Sequence, residues 1–339
     1  MPRFLAFLSS LLLAGAAFGS TTPSYFDSPR EQRPLDGGVQ MVTIDTPKGH
    51  FRVWTKRVGN NPRIKVLLLH GGPGMTHEYL EVFDSFLPRE GIEYIYYDQL
   101  GSAYSDQPKD ESLWELPRFV EEVEQVRQAL HLDHDNFYLY GHSWGGILAI
   151  EYALKYQRHL KGLIISDMMD SAPAYIRYAK DVLQLAMDPV KLAEVKKLEA
   201  EGRTEDPAYM ALLIPMHYEQ HILRIPASEW PEPVLRSFAH VNHQIYVSMQ
   251  GPSELGLSGK LETWDRSGDL KRITVPTLVI GATHDTMDPA YLAGMARRLP
   301  RGRFLLCANG SHLSIYDDQQ AYFGGLVRFL KDVDAGGRI

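Results

Sequence analysis

The chain has 339 residues, 44% of them hydrophobic, so it can bury a full core as one large domain or two smaller ones. Its formal net charge is −7 without a basic block, which excludes the charge pattern of a nucleic-acid-binding protein and makes small molecules or peptides the expected partners. The single cysteine, Cys307, excludes an internal disulfide.

The first residues predict a secretory signal rather than part of the fold. Arg3 is followed by an apolar run at 4–18, and Ala17-Phe18-Gly19 offers small residues at the two positions that a signal peptidase reads. We expect a signal peptide at 1–19, a leader at 20–38, and a secreted or periplasmic protein without a membrane anchor after cleavage. An uncleaved N-terminal anchor helix is the alternative, since the flanking residues do not exclude it.

From residue 39 onward the sequence predicts an alternation of strands and helices. Two stretches of alternating apolar residues predict an antiparallel pair at 39–45 and 50–58. Short apolar runs predict further strands at 65–70, 93–98, 136–140, 160–167, 276–285 and 302–312. Helical spacing follows the first three of these runs, at 77–87, 116–130 and 147–154. Such units predict an α/β fold, a mostly parallel sheet flanked by helices, with functional residues at the carboxyl ends of its strands.

One long stretch, residues 171–265, interrupts this alternation. It has helical periodicity, several prolines and many aromatic residues, but no clear pair of buried strands. We expect an inserted helical cap that divides the α/β core into a first part at 39–170 and a second part at 266–339. An insert at this point leaves the sheet intact and covers the edge where an active site is expected. A purely structural decoration is the alternative.

The segment Gly141-His142-Ser143-Trp144-Gly145 matches the pattern G-x-S-x-G. It follows a predicted strand and precedes a predicted helix, and in this context the serine is raised on a tight turn with its Oγ exposed. Glycines on both sides relieve the crowding of such a turn. The pattern therefore predicts that Ser143 is a nucleophile.

A serine hydroxyl needs a base to remove its proton and an acid to orient that base. Asp285 and His312 follow the last two predicted strands, in the chain order serine, aspartate, histidine that this type of site uses. We predict that His312 is the base and Asp285 the acid. Asp170, after the preceding strand, is the reserve candidate for the acid, and His284 is a weaker candidate for the base.

The negative charge that develops on an attacked carbonyl oxygen needs preorganised donors. One is expected from the backbone N–H of Trp144, directly after the nucleophile, and the other from the loop His70-Gly71-Gly72-Pro73-Gly74 after the third strand. We assign the second donor to Gly72, with Gly71 as the alternative. His70 is expected to orient this loop, because another histidine already satisfies the chain order.

Two H-x-x-H pairs, His131 with His134 and His240 with His243, are the only arrangements that invite a metal interpretation. No third ligand with zinc-site spacing accompanies either pair, so we predict no metal site. Serine chemistry of the kind predicted above requires no cofactor, and none is expected.

Several motifs together resemble the proline iminopeptidase family of α/β-hydrolases, which includes tricorn-interacting-factor aminopeptidases and amino-acid amidases. They are HGGPG at 70–74, DQLGSAYS at 98–105, GHSWGG at 141–146, MQGPSE at 249–254, and the HD and GSH that end at 285 and 312. The resemblance extends from about residue 39 to the end of the chain. It implies an α/β-hydrolase fold and a prolyl aminopeptidase that releases an N-terminal proline or other small residue, or hydrolyses an amino-acid amide.

The resemblance also implies a residue for recognition of the substrate. Glu254 stands where the family has a glutamate that binds the free α-amino group, and a carboxylate there would form charge-assisted hydrogen bonds. An exposed glutamate at a helix start is its alternative reading. Two positions depart from the family: Thr286 replaces a second glutamate of the tricorn-factor relatives, and Ala103 replaces a common glycine. The first departure weakens the expectation for long peptides more than for small amides.

Two other functions remain open at this point. A broad-specificity carboxylesterase would use the same three catalytic residues without needing Glu254. A non-catalytic binding protein on the same fold would be expected to have lost a member of the trio, and all three are present. The expected partner is a small molecule or short peptide with a free amino terminus, and the sequence makes no prediction about the oligomeric state.

Overall fold

The computed structural model describes residues 38–337 of the chain. The predicted signal peptide at 1–19 and the leader up to residue 37 lie outside the described residues. The described part contains one eight-stranded sheet, with the strand order β1-β2-β4-β3-β5-β6-β7-β8. The strands are β1 (Val39–Thr46), β2 (Gly49–Val58), β3 (Lys65–Leu69), β4 (Glu93–Asp98), β5 (Phe137–His142), β6 (Gly162–Ser166), β7 (Thr277–Ala282) and β8 (Gly302–Cys307).

The first two strands differ from the others in direction. β1 pairs with β2 and β2 pairs with β4 in antiparallel register, whereas all pairs from β4 through β3 to β8 are parallel. The predicted α/β fold with a mostly parallel sheet is therefore confirmed. Since parallel strands end at the same edge, the loops after β3, β5, β6, β7 and β8 lie at one side of the molecule.

Each central strand contributes alternate side chains to two hydrophobic clusters, one on each face of the sheet. In β3, Leu67 and Leu69 belong to one cluster, and Val66 and Leu68 belong to the other. Helices cover both clusters, so the central strands are buried at every position except the first residue of β3, Lys65, which is half-buried. For this reason they appear in the sequence as continuous apolar runs instead of an alternating pattern.

Ten α-helices are found within the described residues. They are α1 (Leu116–Ala129), α2 (Trp144–Tyr156), α3 (Ala172–Tyr178), α4 (Pro189–Ala200), α5 (Pro207–Leu213), α6 (Glu232–Ala239), α7 (His243–Met249), α8 (Pro289–Arg298), α9 (Ser314–Asp317) and α10 (Gln319–Asp334). Among residues 38–337, no helix is both long enough and apolar enough to cross a membrane.

Two local predictions were wrong in their detail. The helix predicted at 77–87 is a 3₁₀ helix, Glu78–Ser85, whose buried side chains lie on several sides rather than along one apolar stripe. The last two strands end earlier than predicted, at Ala282 and Cys307. Beyond these ends the backbone N–H of His284 bonds to the carbonyl of Gly310, which joins two loops instead of extending the sheet.

The stretch between β6 and β7 is helical and holds α3 to α7. Its two ends lie side by side, because Ser171 and Asp265 form an isolated antiparallel bridge and the N–H of Ala172 donates to the carbonyl of Trp264 at 2.8 Å. We refer to residues 171–265 as the insert. The chain thus leaves and re-enters the α/β core at one place, and the sheet continues from β6 to β7 without interruption.

Candidate active site

Ser143 occupies the sharp turn between β5 and α2. Its backbone has φ 55° and ψ −126°, a conformation that residues other than glycine rarely adopt. A side chain at Gly141 would overlap the carbonyl oxygen of Gly145, and one at Gly145 would overlap that of Leu69. Both glycines of the motif are therefore needed because backbone segments meet there, and the turn stores strain of the kind found at functional sites.

Hydrogen bonds from neighbouring segments hold this turn. The N–H of Ser143 donates to the carbonyl of Ser166 at the end of β6, at 3.0 Å, and the N–H of Gly146 donates to the carbonyl of Ser143 at 2.7 Å. Ser143 is 8% exposed and is therefore almost completely buried. The serine is thus fixed in position and nearly enclosed, as a preorganised nucleophile should be.

His312 and Asp285 form a buried pair on the loops after β8 and β7. Nδ1 of His312 lies 2.7 Å from Oδ1 of Asp285, and the N–H of His312 donates to the carbonyl of His221 in the insert at 2.9 Å. The loop of His312 also lies against the serine turn, because Nε2 of His142 is 2.8 Å from the carbonyl oxygen of His312. The structure therefore brings the predicted base and acid together beside the predicted nucleophile.

Charge around His312 favours its protonated form. Burial by itself lowers the pKa of His312, but the negative charge and hydrogen bond of Asp285 and the charge of Glu254 outweigh burial and raise the pKa above 6.5. A base of this kind can accept the serine proton and hold it while the substrate bond breaks.

The reserve candidates lie elsewhere. Asp170 accepts a hydrogen bond from the hydroxyl of Tyr291 at 2.6 Å and forms an ion pair with Arg298 at 2.7 Å, so its carboxylate is used to hold α8. The carbonyl of His284 accepts from Nδ1 of His221 at 3.0 Å. Neither residue is paired with the other members of the predicted trio.

The loop after β3 reaches the serine turn. A Cβ built on Gly71 would lie 3.2 Å from Cβ of Ser143. The N–H of Gly71 already donates to the hydroxyl of Tyr79 at 2.8 Å, so of the two predicted candidates in this loop Gly72 is favoured over Gly71 as the oxyanion donor. Trp144, the other predicted donor, is the first residue of α2, and backbone N–H groups at a helix start have no partner within the helix.

His70 holds this loop in place. Its Nδ1 donates to the carbonyl of Gly71 at 2.8 Å, and its Nε2 accepts from the N–H of Gln99 at 3.1 Å. The side chain of Gln99 in turn accepts from the indole N–H of Trp144 at 2.8 Å. Burial lowers the pKa of His70 to about 4, so the ring is neutral at pH 7 and suited to orientation rather than proton transfer.

Glu254 lies in the insert and faces the site. Its Oε1 accepts from the hydroxyl of Tyr246 at 2.5 Å, while its backbone carbonyl accepts from Tyr175 at 3.1 Å and from His217 at 2.9 Å. Within residues 38–337, Oε2 has no hydrogen-bond partner. Burial raises the pKa of Glu254 above its usual value. This effect outweighs the nearby His312 and the Tyr246 hydroxyl, both of which lower the pKa. A carboxylate with one oxygen fixed and the other unpaired can receive a ligand amine.

Thr286, at the position of the family's second glutamate, is turned toward the catalytic pair. Its hydroxyl lies 3.2 Å from Oδ1 of Asp285 and 3.3 Å from Nδ1 of His312, and the residue is fully buried. As a threonine it has no carboxylate with which to bind a substrate amine. The hydroxyl adds a polar contact to the acid instead.

Sequence reasoning missed three buried polar residues around this site: Tyr79, His142 and Asp167. His142 lies next to Ser143 in the motif, which was the one available signal. Tyr79 lies in a segment that the sequence marked only as helical, and Asp167 ends a predicted strand without belonging to any motif.

The described residues contain one group with the spacing of metal ligands, namely Asp133, His134 and Asp135. All three are exposed neighbours in the loop before β5, at the opposite end of that strand from Ser143, and exposed acidic groups of this kind are common without an ion. His131 is not part of the group. His240 lies 2.9 Å from Oε2 of Glu78, a contact that is an ion pair when the imidazole is protonated.

The chain is similar to known proteins over most of its length. Residues 65–319 match a family described as having the alpha/beta hydrolase fold. The chain is 55% identical to a proline iminopeptidase of Flavobacterium johnsoniae over 294 residues, which cover 87% of this chain and 98% of the relative. It is 56% identical to a proline iminopeptidase of Elizabethkingia meningoseptica over 296 residues, with the same coverage.

A solved structure agrees with these sequence matches. The crystal structure of a proline iminopeptidase from Mycobacterium smegmatis superposes with a TM-score of 0.76 at 25% identity, covering 88% of this chain and 99% of the other. The similarity therefore includes the insert as well as the sheet.

Proposed function

Because this chain belongs to the proline iminopeptidase family of α/β-hydrolases, we propose that it releases an N-terminal proline or other small residue from short peptides through an acyl-enzyme on Ser143. The observation that carries the proposal is the buried pair of His312 and Asp285, 2.7 Å apart, against the strained turn of Ser143. This arrangement supplies a base, its orienting acid and a fixed nucleophile.

The first half of the reaction uses these three residues. Oγ of Ser143 attacks the carbonyl carbon of the first residue while His312 takes the hydroxyl proton. The N–H groups of Gly72 and Trp144 donate to the oxyanion of the tetrahedral intermediate. When the peptide C–N bond breaks, His312 gives its proton to the leaving amine, and the first residue remains as an ester on Ser143.

The second half regenerates the enzyme. A water molecule loses a proton to His312 and attacks the ester carbonyl, and the same donors stabilise the second oxyanion. His312 then returns the proton to Oγ as the ester C–O bond breaks. Throughout both steps Asp285 holds His312 and stabilises its imidazolium form, in keeping with the raised pKa of His312.

Selection of an amino terminus is assigned to Glu254. A protonated α-amine next to the scissile carbonyl would lie between the nucleophile and this carboxylate, whose Oε2 is unpaired within the described residues. An esterase would gain nothing from a partly buried carboxylate there, because burial of an unpaired charge is costly. Glu254 therefore favours an aminopeptidase over a broad carboxylesterase.

Hydrolysis of small amino-acid amides is a second candidate function. Thr286 supplies a hydroxyl at the position where the tricorn-factor relatives have a second glutamate. The substrate amine therefore has Glu254 as its one acidic anchor on this side of the site. A small amide depends less than a long peptide on such additional anchoring.

The test is a substrate panel on the purified protein, with Ser143→Ala as the control. The panel contains a Pro-peptide, prolinamide, alaninamide, N-acetyl-prolinamide and a butyrate ester. We expect turnover of the free-amine substrates and none of the acetylated one, and the ratio of Pro-peptide to prolinamide separates the two candidates. Fast ester cleavage that ignores the amine would instead mean a general esterase.

A further inference from the structure

Asp167 lies directly behind the catalytic pair, although no motif contains it. It follows β6, and Asp285 follows β7, the neighbouring parallel strand, in which Ile280 pairs with Ser166. The N–H of Asp167 donates to the carbonyl of Ile280 at 2.9 Å. The strand order therefore brings two carboxyl groups to the same point of the sheet edge, and both residues are buried.

The backbone of Asp167 is held in an unfavourable conformation. Its φ is 51°, in the left-handed region that residues other than glycine seldom occupy. Such a conformation persists where the surroundings fix the residue, and it is concentrated at functional sites. Aspartate tolerates this region better than most residues, so the conformation marks a fixed backbone position rather than strong strain.

The hydrogen bonds of the two carboxyl groups are incomplete in a complementary way. Oδ2 of Asp167 accepts from the hydroxyl of Ser166 at 2.6 Å, and Oδ1 of Asp285 receives the contacts of His312 and Thr286. Oδ1 of Asp167 and Oδ2 of Asp285 are buried and have no donor among the described residues. Both oxygens lie at the same edge of the sheet, on neighbouring strands, so one proton shared between the two carboxyl groups would satisfy both.

The surroundings decide which carboxyl carries that proton. Asp285 faces His312, which is cationic during the reaction, whereas Asp167 receives a single neutral hydroxyl. Nε2 of His142 is 3.9 Å from Asp167, but burial and the charge of His312 lower the pKa of His142 to about 3, so the ring is neutral. Burial, and after it the charge of Asp285, raise the pKa of Asp167.

No other group facing Asp167 within the described residues supplies a positive charge. The groups are Tyr140 on β5, Tyr322 on α10, Cys307 on β8, Asp317 on α9 and Tyr79 on the 3₁₀ helix. Burial raises the pKa of each of them, so the tyrosines and the cysteine are neutral at pH 7. An ionised Asp167 would have no compensating cation.

We infer that Asp167 is a protonated carboxylic acid that donates a hydrogen bond from Oδ1 to Oδ2 of Asp285 and thereby positions the acid of the catalytic pair. It acts through Asp285 and does not touch the substrate. The bond holds the Asp285 carboxyl so that Oδ1 faces Nδ1 of His312. This inference rests on the proposed function for the role of Asp285, but not for the choice of substrate.

Two substitutions test the inference by kinetics. In Asp167→Asn the amide N–H can replace the O–H donor, and kcat should stay within about threefold of the unsubstituted enzyme. Asp167→Leu has a similar volume but no donor, and kcat should fall by about tenfold or more with KM little changed. Both variants are assayed on whichever substrate of the panel the protein hydrolyses fastest, after circular dichroism has shown that they are folded.

The pH profile separates this role from an ionised one. Because a neutral acid is replaced by a neutral amide, the acid limb of kcat/KM, which reports His312, should not move in Asp167→Asn. A shift of that limb to lower pH would show that a negative charge had been removed, and equal losses in the Asn and Leu variants would show that the donor is irrelevant. Either result overturns the inference. Asp170→Asn, in the same loop but paired with Arg298, is the matched control and should leave the limb in place.

Infrared spectroscopy gives a readout that needs no substrate. With aspartate labelled by ¹³C at its carboxyl carbon, the free enzyme at neutral pH should show the C=O stretch of a buried, protonated carboxylic acid, and Asp167→Asn should lack it. Absence of this band from the unsubstituted enzyme would overturn the inference even if the proposed activity is found. Its presence with a failed substrate panel would leave the inference standing and the proposed function wrong.

Discussion

Nε2 of His142 lies 2.8 Å from the carbonyl oxygen of His312, so the residue before the nucleophile holds the backbone of the predicted base. A carbonyl only accepts, which places the ring proton on Nε2 and makes Nδ1 the acceptor for the Tyr79 hydroxyl, 2.9 Å away. That hydroxyl accepts from the N–H of Gly71. One chain of hydrogen bonds thus joins the oxyanion loop, the serine turn and the base.

The chain of hydrogen bonds predicts an effect of Tyr79→Phe. The substitution leaves the Gly71 N–H and Nδ1 of His142 without their partner in a buried region, and an unsatisfied polar group there costs about 1–3 kcal/mol. We expect kcat to fall by about tenfold with KM changed by about twofold or less, since the groups that bind substrate are intact. Tyr138→Phe, which removes a buried hydroxyl that donates to the carbonyl of Leu330, is the control and should retain full activity. An unchanged kcat in Tyr79→Phe would contradict the prediction.

The strained backbone of Ser143 predicts that two substitutions with the same effect on activity differ in stability. Ser143→Ala and Ser143→Gly should both abolish turnover, because the nucleophile is lost. Glycine adopts φ 55° without strain, so Ser143→Gly should be more stable than Ser143→Ala by about 1 kcal/mol. Urea unfolding of the two variants measures the difference, and equal midpoints would show that the turn is not strained.

Loss of the Glu254 charge should lower kcat/KM much more for substrates with a free amine than for substrates whose amine is blocked. Glu254→Gln removes the negative charge but keeps an acceptor for Tyr246, so the insert should stay folded. We expect kcat/KM to fall by about tenfold to a hundredfold on free-amine substrates and by much less on an N-blocked ester, since a charge-assisted hydrogen bond is worth about 1.5–3 kcal/mol. Glu199, which accepts from Tyr209 at 2.7 Å in the same part of the insert, provides the matched Glu→Gln control. Equal losses on both kinds of substrate would remove Glu254 from amine recognition.

The pH dependence of activity follows from the raised pKa of His312. His312 must be neutral to accept the serine proton, so kcat/KM should rise with pH through a pKa above 6.5. Because Glu254 is one of the charges that raise this pKa, Glu254→Gln should move the acid limb to lower pH. The profile is measured on an N-blocked ester, where recognition of an amine does not interfere. A limb that moves to higher pH would be incompatible with this electrostatic account.

Ala103 departs from the family pattern, and we predict that replacing it with the family's glycine increases the free energy of unfolding. Its φ is 32°, in the left-handed region that disfavours alanine, so Ala103→Gly should stabilise the fold by about 0.5–1 kcal/mol. Ala290→Gly near the start of α8, where the backbone is helical, should destabilise it by about 0.5–1 kcal/mol. Thermal unfolding of both variants measures the two signs, and a lower midpoint for Ala103→Gly would be evidence against strain at that turn.

Much of the sheet and the positions of Ser143, Asp285 and His312 could be predicted because the signals are local. Buried parallel strands appear as continuous apolar runs, and parallel topology puts the residues after them at one edge. Strand ends were less accurate, since β7 and β8 stop where loop-to-loop hydrogen bonds replace the ladder. The 3₁₀ form of Glu78–Ser85 was missed because over eight residues a period of three residues per turn differs too little from the 3.6 of an α-helix.

By itself, the sequence determined which residues could carry out the chemistry, through the turn at Ser143, the chain order of the trio and the motifs shared with a family. Only the tertiary structure decided how those residues are supported. His142 bonds to the carbonyl of a residue 170 positions away, and Asp167 lies at the same sheet edge as Asp285 because β6 and β7 are neighbours in the sheet. A local pattern specifies backbone conformation, but the partner of a buried polar atom depends on which distant segments pack together, and no single segment encodes that.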